Sequence, residues 1–269
     1  MAKKPVITKY NITASKLKGG LTIALVSDIH ERVDKNLAAL VRETKPDIIA
    51  VAGDTLERFS VDIEKERENK KRGFVWNIFF TAAYYLNKLF KTLNVKNRPS
   101  TEKTYEFLGE ISEIAPVYLS VGNHESIFLE EDKRLFEKLK ITALDNSDTE
   151  VIFNGDKLVI GELSTFFDEG WLKEYSEKDG YKILLSHHPI YYDTLIKDKD
   201  IDLTLAGHNH GGQIRIKNKG LFSSGEGIFP KYDKGVFDSR LIVSAGCANT
   251  VALPRLNNPR EIVKISINK

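Results

Sequence analysis

Leu21-Thr22-Ile23-Ala24-Leu25-Val26-Ser27-Asp28-Ile29-His30 runs from a short apolar stretch straight into an aspartate and a histidine two residues apart. A run of this length, rich in β-branched side chains, reads as a buried strand. The arrangement recurs along the chain. Residues 48–52 lead into Gly53-Asp54, and 117–121 into Gly122-Asn123-His124-Glu125. Residues 183–185 lead toward His187-His188-Pro189, and 203–206 into Gly207-His208-Asn209-His210. Helical patterns lie between several of these runs, at 36–44, 102–114 and 131–139, so the chain reads as α/β. Rigid strands can aim several loop residues at one point, and in such folds ligands collect beyond the carboxyl ends of strands. Five motif loops after five strands therefore predict one shared site. From about Leu203 the helical signal fades, and 214–216, 241–244 and 262–267 read as strands joined by glycine-rich turns.

Composition narrows the function classes. The 269 residues are 41% hydrophobic, enough for a substantial core, and are expected to form a single domain over 1–269. Forty basic against 38 acidic side chains give a net charge of +2, which lacks the electrostatic footprint of a dedicated nucleic-acid binder. One cysteine, Cys247, excludes an internal disulfide and any cysteine-rich metal cluster, and fits a reducing compartment. Met1-Ala2-Lys3-Lys4-Pro5 is basic but is followed by alternating polar sequence rather than a signal-like apolar run, so a cytoplasmic location is expected.

All six histidines fall inside the motif loops. Aspartate and imidazole ligate metal at neutral pH without an unusual protonation state, so Asp28 and His30 can share one ion if the backbone turns there. Asp54 closes a very apolar strand, where an unpaired carboxylate is costly to desolvate and a cation offsets that cost. Its two oxygens let it bridge two ions. Asn123 offers a neutral amide oxygen, and His208 and His210 flank Asn209 before Gly211-Gly212. Each motif alone is a weak signal; five in order are strong.

The ordered set Asp-Xaa-His, Gly-Asp, Gly-Asn-His-Glu, His before Pro and Gly-His-Xaa-His resembles the calcineurin-like metallophosphoesterase superfamily from about Leu21 to the C-terminus. Gly207-His208-Asn209-His210-Gly211-Gly212-Gln213, with Pro254-Arg255 and Pro259-Arg260-Glu261-Ile262, is similar to a bacterial Gly-His-Xaa-His-Gly-Gly-Gln branch of phosphohydrolases. The chain departs from that branch at Asn209, usually threonine there, and at Ala245-Gly246-Cys247, where an Arg-Gly turn is common. The resemblance implies a four-layer α/β/β/α sandwich of two mixed sheets flanked by helices. It implies two divalent ions, manganese first with iron and zinc as alternatives, because N/O ligation discriminates weakly among them. One ion would be held by Asp28, His30 and His210, the other by Asn123, His187 and His208, with Asp54 bridging. Such ions, about 3.5–4 Å apart, yield a bridging hydroxide that attacks phosphorus in line. His124 has no place in that ligand count and is implied as the acid beside the leaving group, while Glu125 orients its neighbours.

The implied activity is phosphoesterase, with lipid or cell-envelope phosphodiesters among the substrates of relatives. A scaffold that keeps the fold without catalysis and a metal-dependent nuclease are the competing readings. Of the adjacent His187 and His188, the resemblance implies His187 as ligand, two residues before Pro189 as in the family, with His188 facing substrate or in the outer shell; the swapped assignment is the alternative. Arg58 stands where the Ser/Thr phosphatase branch grips phosphate; the alternative is a solvated arginine beside Glu57, Glu64, Glu66 and Arg67. Residues 58–100 read as a helical, apolar insertion or lid near the site. On a helix, Asn77, Thr81, Tyr84, Lys88 and Lys91 form one polar stripe, and Lys70-Lys71-Arg72 precede it. A buried core helix is one reading of that segment. The other is peripheral membrane contact through residues 73–93, whose length and internal Asn77, Asn87 and Lys88 argue against a span.

Overall fold

The computed structural model describes residues 4–58, 99–125, 127–223, 226–250 and 254–269. The insertion expected at 58–100, including the 73–93 membrane segment, lies outside the described residues except for its ends. No helix among the described residues is long and apolar enough to cross a membrane.

In chain order the described elements begin β1 Val6–Thr13, β2 Leu21–Val26, α1 Leu37–Thr44, β3 Ile48–Ala52, α2 Thr101–Ser112 and β4 Val117–Ser120. They continue with α3 Glu130–Leu139, β5 Thr142–Leu144, β6 Ser147–Phe153, β7 Asp156–Glu162, α4 Glu169–Ser176, β8 Tyr181–Leu185 and β9 Leu203–Ala206. Short strands follow, β10 Arg215–Ile216, β11 Lys219–Gly220, β12 Phe222–Ser223, β13 Gly227–Ile228, β14 Gly235–Phe237 and β15 Leu241–Val243, before β16 Glu261–Asn268 closes the chain.

Two six-stranded mixed sheets result, in the orders β1-β16-β2-β3-β4-β5 and β14-β15-β9-β8-β7-β6. In the first, β2, β3, β4 and β5 run parallel; in the second, β7, β8, β9 and β15 do. Every residue of β3, β4, β8 and β9 is buried, because parallel strands at the centre of a sheet are covered on both faces. The pleat divides them between layers. Ile23, Leu25, Ile48 and Ala50 meet Ile160, Ile183, Leu185 and Leu205 between the sheets. Ala24, Val26, Ile49 and Val51 turn the other way, onto Leu37, Val41, Phe107 and Ile111 of α1 and α2. On the far side, Val159, Leu184 and Val243 pack against Leu172 and Tyr175 of α4 and against Tyr192 and Ile196. Helices, sheet, sheet and helices therefore make the four layers.

Two parts of the second sheet's edge have local explanations. Asn154 and Gly155 join β6 to β7 with φ of 50° and 80°, the doubly left-handed conformation that a tight two-residue hairpin needs. α4 starts where Asp168 Oδ1 accepts from the N–H groups of Gly170 and Trp171, at 2.8 and 3.1 Å.

Candidate metal centre

Five loops meet where the carboxyl ends of β2, β3 and β4 from one sheet approach those of β8 and β9 from the other. The seam is closed by bonds that cross it. His187 Nδ1 donates to the Ala52 carbonyl at 2.8 Å, and the His208 N–H donates to Asp28 Oδ1 at 3.0 Å. Within the first sheet, the His30 N–H donates to the Asp54 carbonyl at 2.8 Å and the His124 N–H to Asp54 Oδ1 at 2.9 Å. The sequence-derived set Asp28, His30, Asp54, Asn123, His124, His187, His208 and His210 is thereby drawn from distant parts of the chain into one place.

The backbone there is strained in a consistent way. Asp28, His30, Asp54, His208 and His210 have φ of 52°, 49°, 53°, 69° and 47°. Side chains rarely adopt this left-handed region; holding one there costs of order 1–3 kcal/mol, and such residues cluster at functional sites. Gly122 marks how closely the loops approach. A Cβ on it would lie 2.2 Å from Asp54 Oδ1, so a side chain at that position collides with the carboxylate.

Several side-chain atoms at the centre are left without a hydrogen-bond partner among neutral groups of the protein. Asp28 Oδ2 and Asn123 Oδ1 are buried with no hydrogen-bond partner, and the buried His30 Nε2 and His187 Nε2 face only the Asp54 carboxylate. An unsatisfied buried polar group costs about 1–3 kcal/mol, and unsatisfied oxygens among buried imidazoles and carboxylates are what a bound cation compensates. Three groups bring ligand atoms within 4.8 Å of one another: Asp28, His30 and His210; His30, Asp54 and His124; and Asp54, His187 and His208. Asp54 lies at the middle, its Oδ2 at 3.1, 3.5 and 3.8 Å from Nε2 of His187, His30 and His124. This donor set, nitrogen and oxygen without thiolate, fits divalent first-row cations.

Protonation sorts the rings. Burial pushes the pKa of His208 well below its ordinary value and that of His210 down to about 3, which keeps both rings neutral. Burial would lower His187 as well, but the Asp54 carboxylate outweighs it and lifts His187 to about 10. His124 is likewise raised, because Asp54 and Glu57 together overcome its desolvation. Burial pulls Asp54 upward, and the imidazoles of His187, His124 and His30 hold it well below the ordinary carboxylate value.

Three side chains near the cluster received no ligand role from the sequence, and the structure gives each a definite place. Glu57 accepts from His30 Nδ1 at 3.1 Å with Oε1 and from His124 Nδ1 at 2.8 Å with Oε2. That turns Nε2 of both rings toward Asp54. Its signal was the spacing Gly53-Asp54-Thr55-Leu56-Glu57, three residues past the aspartate, which sequence reasoning passed over for Arg58. Arg255 Nη2 donates to His210 Nδ1 at 2.9 Å, while Nη1 donates to the Ala245 carbonyl at 2.6 Å, tying the C-terminal turn to the cluster. Glu125 is fully buried and gathers the backbone N–H groups of Asp54, Leu56 and Gly122 at 2.8, 2.7 and 2.7 Å, together with that of Thr55. It thus clamps the Gly53-Asp54 loop to the Gly122-Asn123 loop.

Arg58 does not join the cluster. Nε and Nη2 grip Asp132 at 3.0 and 2.8 Å, Nη1 donates to Glu31 at 2.9 Å and to the Glu57 carbonyl, and Nη2 also donates to Tyr105. Each of the five guanidinium N–H groups is spent, which leaves no donor for a phosphate and corrects both sequence expectations, since the side chain is also not solvated. His188 is half-buried, with Nε2 3.2 Å from Thr165 Oγ1 and its ring 4.3 Å from that of His208. Cys247 is buried, and desolvation lifts its thiol to about 12, so it is unreactive.

Comparison with known proteins agrees with this geometry. The sequence model of calcineurin-like phosphoesterases matches residues 21–212, well over half of the chain and every residue of the cluster. The chain is similar to YpbG of Bacillus subtilis, 26% identical over 238 residues covering 84% of this chain and 75% of that protein. It is also similar to the metallophosphoesterase YkoQ of the same organism, 28% identical over 258 residues, 90% of this chain and 82% of that one. A shorter match, 29% identical over 116 residues, covers 41% of this chain and 43% of the Escherichia coli phosphodiesterase YaeI.

Proposed function

The chain belongs to the calcineurin-like phosphoesterase family and is a metal-dependent phosphoesterase, and on that premise we propose that the five-loop cluster is a two-ion centre hydrolysing phosphodiesters. In this reading Asp28, His30 and His210 hold one ion, Asn123, His187 and His208 the other, and Asp54 serves both. The observation that carries it is the convergence of His187, His30 and His124 Nε2 on the buried Asp54 carboxylate, at 3.1, 3.5 and 3.8 Å, inside overlapping ligand-atom groups. Manganese is the expected cation, with iron and zinc as alternatives. Two such ions supply charge for the phosphate oxygens and acidify a water into a nucleophile.

The protein's own groups perform the rest. Nδ1 of His187 is occupied by the Ala52 carbonyl, which presents Nε2 as the ligand nitrogen and favours His187 over His188 for that role. The carboxylate of Glu57 holds Nδ1–H of His124, so the ring offers its Nε2 proton toward the centre. The Asp54 and Glu57 carboxylates raise the pKa of His124 above its ordinary value, which favours the protonated ring as the donor to a leaving alkoxide. Glu125 keeps the Asp54 and Asn123 loops in register on the first sheet's side of the centre. A diester preference is supported by the phosphodiesterase name of YaeI and by Arg58, which is unavailable to grip a phosphate monoester's additional charge.

Reconstitution with manganese, followed by hydrolysis of p-nitrophenyl phosphate, bis-p-nitrophenyl phosphate and cyclic nucleotides, tests the proposal. Diester cleavage should dominate, and Asp54→Asn should abolish it. A wild-type protein shown to carry two ions that cleaves nothing would contradict the reading.

A further inference from the structure

A strip of rings leads out of the cluster to the surface. It starts at His208, against which His188 packs with centroids 4.3 Å apart. Tyr191 follows 5.1 Å from His188, and Phe167 follows 5.2 Å from Tyr191, edge to face. The strip is pinned rather than draped. Tyr191 donates its hydroxyl to the Thr165 carbonyl at 3.1 Å, Asn146 Nδ2 donates to the Phe166 carbonyl at 2.8 Å, and Asp168 caps α4 directly behind Phe167. Yet its outer end is bare: Phe166 and Phe167 are 56% and 41% exposed, and neighbouring Ile190 is 38% exposed.

Isolated exposed apolar side chains are ordinary on a protein surface. These are different, because they sit on two adjacent loops, after β7 and β8, and are continuous with a ring that belongs to the metal cluster. The apolar core on the outer face of the same sheet lies close by, around Leu163, Tyr175 and Tyr192, and the two phenylalanines are not folded into it. Ordered loops that hold apolar rings in water beside a reaction centre offer a surface to something apolar that arrives with the substrate.

We propose that the strip His188-Tyr191-Phe167-Phe166 is a substrate subsite that receives an apolar organic group esterified to the phosphate. This rests on the reading of the cluster as a phosphoesterase centre. A phosphate seated at Asp54 and His208 projects its ester groups outward, and one of them lies along the rings. His188 is then a specificity residue at the inner end, and Phe166 and Phe167 set how much chain is covered at the outer end.

Calorimetric binding of n-alkyl phosphates, methyl to octyl, to the manganese-loaded protein tests this, alongside hydrolysis of methyl p-nitrophenyl phosphate. In the wild type each added methylene should tighten binding up to about fourfold, equivalent to about 0.8 kcal/mol of apolar transfer. The double variant Phe166→Ser/Phe167→Ser should lose most of that dependence while binding methyl phosphate within about twofold of wild type. The single variant Phe166→Ser, at the more exposed position, should give an intermediate slope and guards against a folding defect in the double variant. Affinity independent of chain length in the wild type, or an unchanged slope in the variants, overturns the subsite. Failure to hydrolyse any diester would overturn the phosphoesterase reading instead, and the binding slopes would still decide the strip.

Discussion

Replacing Glu57 by glutamine separates the jobs this carboxylate performs. It accepts two imidazole N–H bonds, 3.1 Å from His30 Nδ1 and 2.8 Å from His124 Nδ1. Burial pushes its pKa up, but the bonds to His124 and His30 hold it well below the ordinary glutamate value, so it is ionised throughout the working range. Glutamine keeps the length and offers one oxygen, but turns an NH₂ group toward the other ring, where donor faces donor. One charge-assisted bond is lost, worth about 1.5–3 kcal/mol. At about 1.36 kcal/mol per factor of ten, that corresponds to roughly 10- to 150-fold. If the NH₂ meets His124, kcat on bis-p-nitrophenyl phosphate falls by that factor at saturating manganese, with metal content unchanged. If it meets His30, manganese affinity falls instead, in line with the 10- to 100-fold typical of losing a ligand's carboxylate partner. Glu57→Asp, which keeps the charge on a shorter arm, should recover part of either loss. Steady-state hydrolysis and a manganese titration measured on the same preparations distinguish the cases. Glu57→Gln with both kcat and manganese affinity within twofold of wild type would refute the reasoning.

Other consequences follow from neighbouring contacts. Asp132 is buried and bound by Arg58, the Leu129 N–H and Tyr105; burial raises its pKa, but these partners win and lower it below 3.8. Its stabilisation is therefore complete above that value and lost as pH falls through the folded pKa, so Asp132→Asn should cost about 3–5 kcal/mol at pH 7 and progressively less below about pH 4, by urea denaturation. His187, held protonated up to about 10 by Asp54, must release its proton to ligate, so manganese binding should weaken as pH falls, and calorimetry in buffers of different ionisation enthalpy should detect proton release. Arg255 donates to His210 Nδ1, a tautomer unfavourable to ligation through Nε2; Arg255→Gln, whose oxygen can accept from Nδ1–H, should tighten manganese binding several-fold, and an unchanged or weaker affinity would count against that contact.

The parts of this molecule that were readable in sequence share a physical property. β2, β3, β4, β8 and β9 are central parallel strands buried on both faces, so they appear as unbroken apolar runs, and the ligands follow them directly. β1 and β6 are edge strands with mixed burial, and their polar alternation, as in Ser147–Phe153, offered no comparable signal. The hairpin joining β6 to β7 went unread, although Asn154-Gly155 is the turn pair that favours two left-handed residues. Spacing placed Arg58 near phosphate, but the direction of its side chain depends on Asp132, which lies 74 residues away in sequence and meets it through tertiary packing alone. Glu57 was obscured for the same reason, since its partners His30 and His124 come from two other loops.

The central claim is that five loops from two sheets hold two ions around Asp54, and anomalous diffraction from manganese-soaked crystals tests it most directly. Two peaks are expected, one against Asp28, His30 and His210 and one against Asn123, His187 and His208, with Asp54 touching both. A single peak, or two peaks without Asp54 between them, would contradict it.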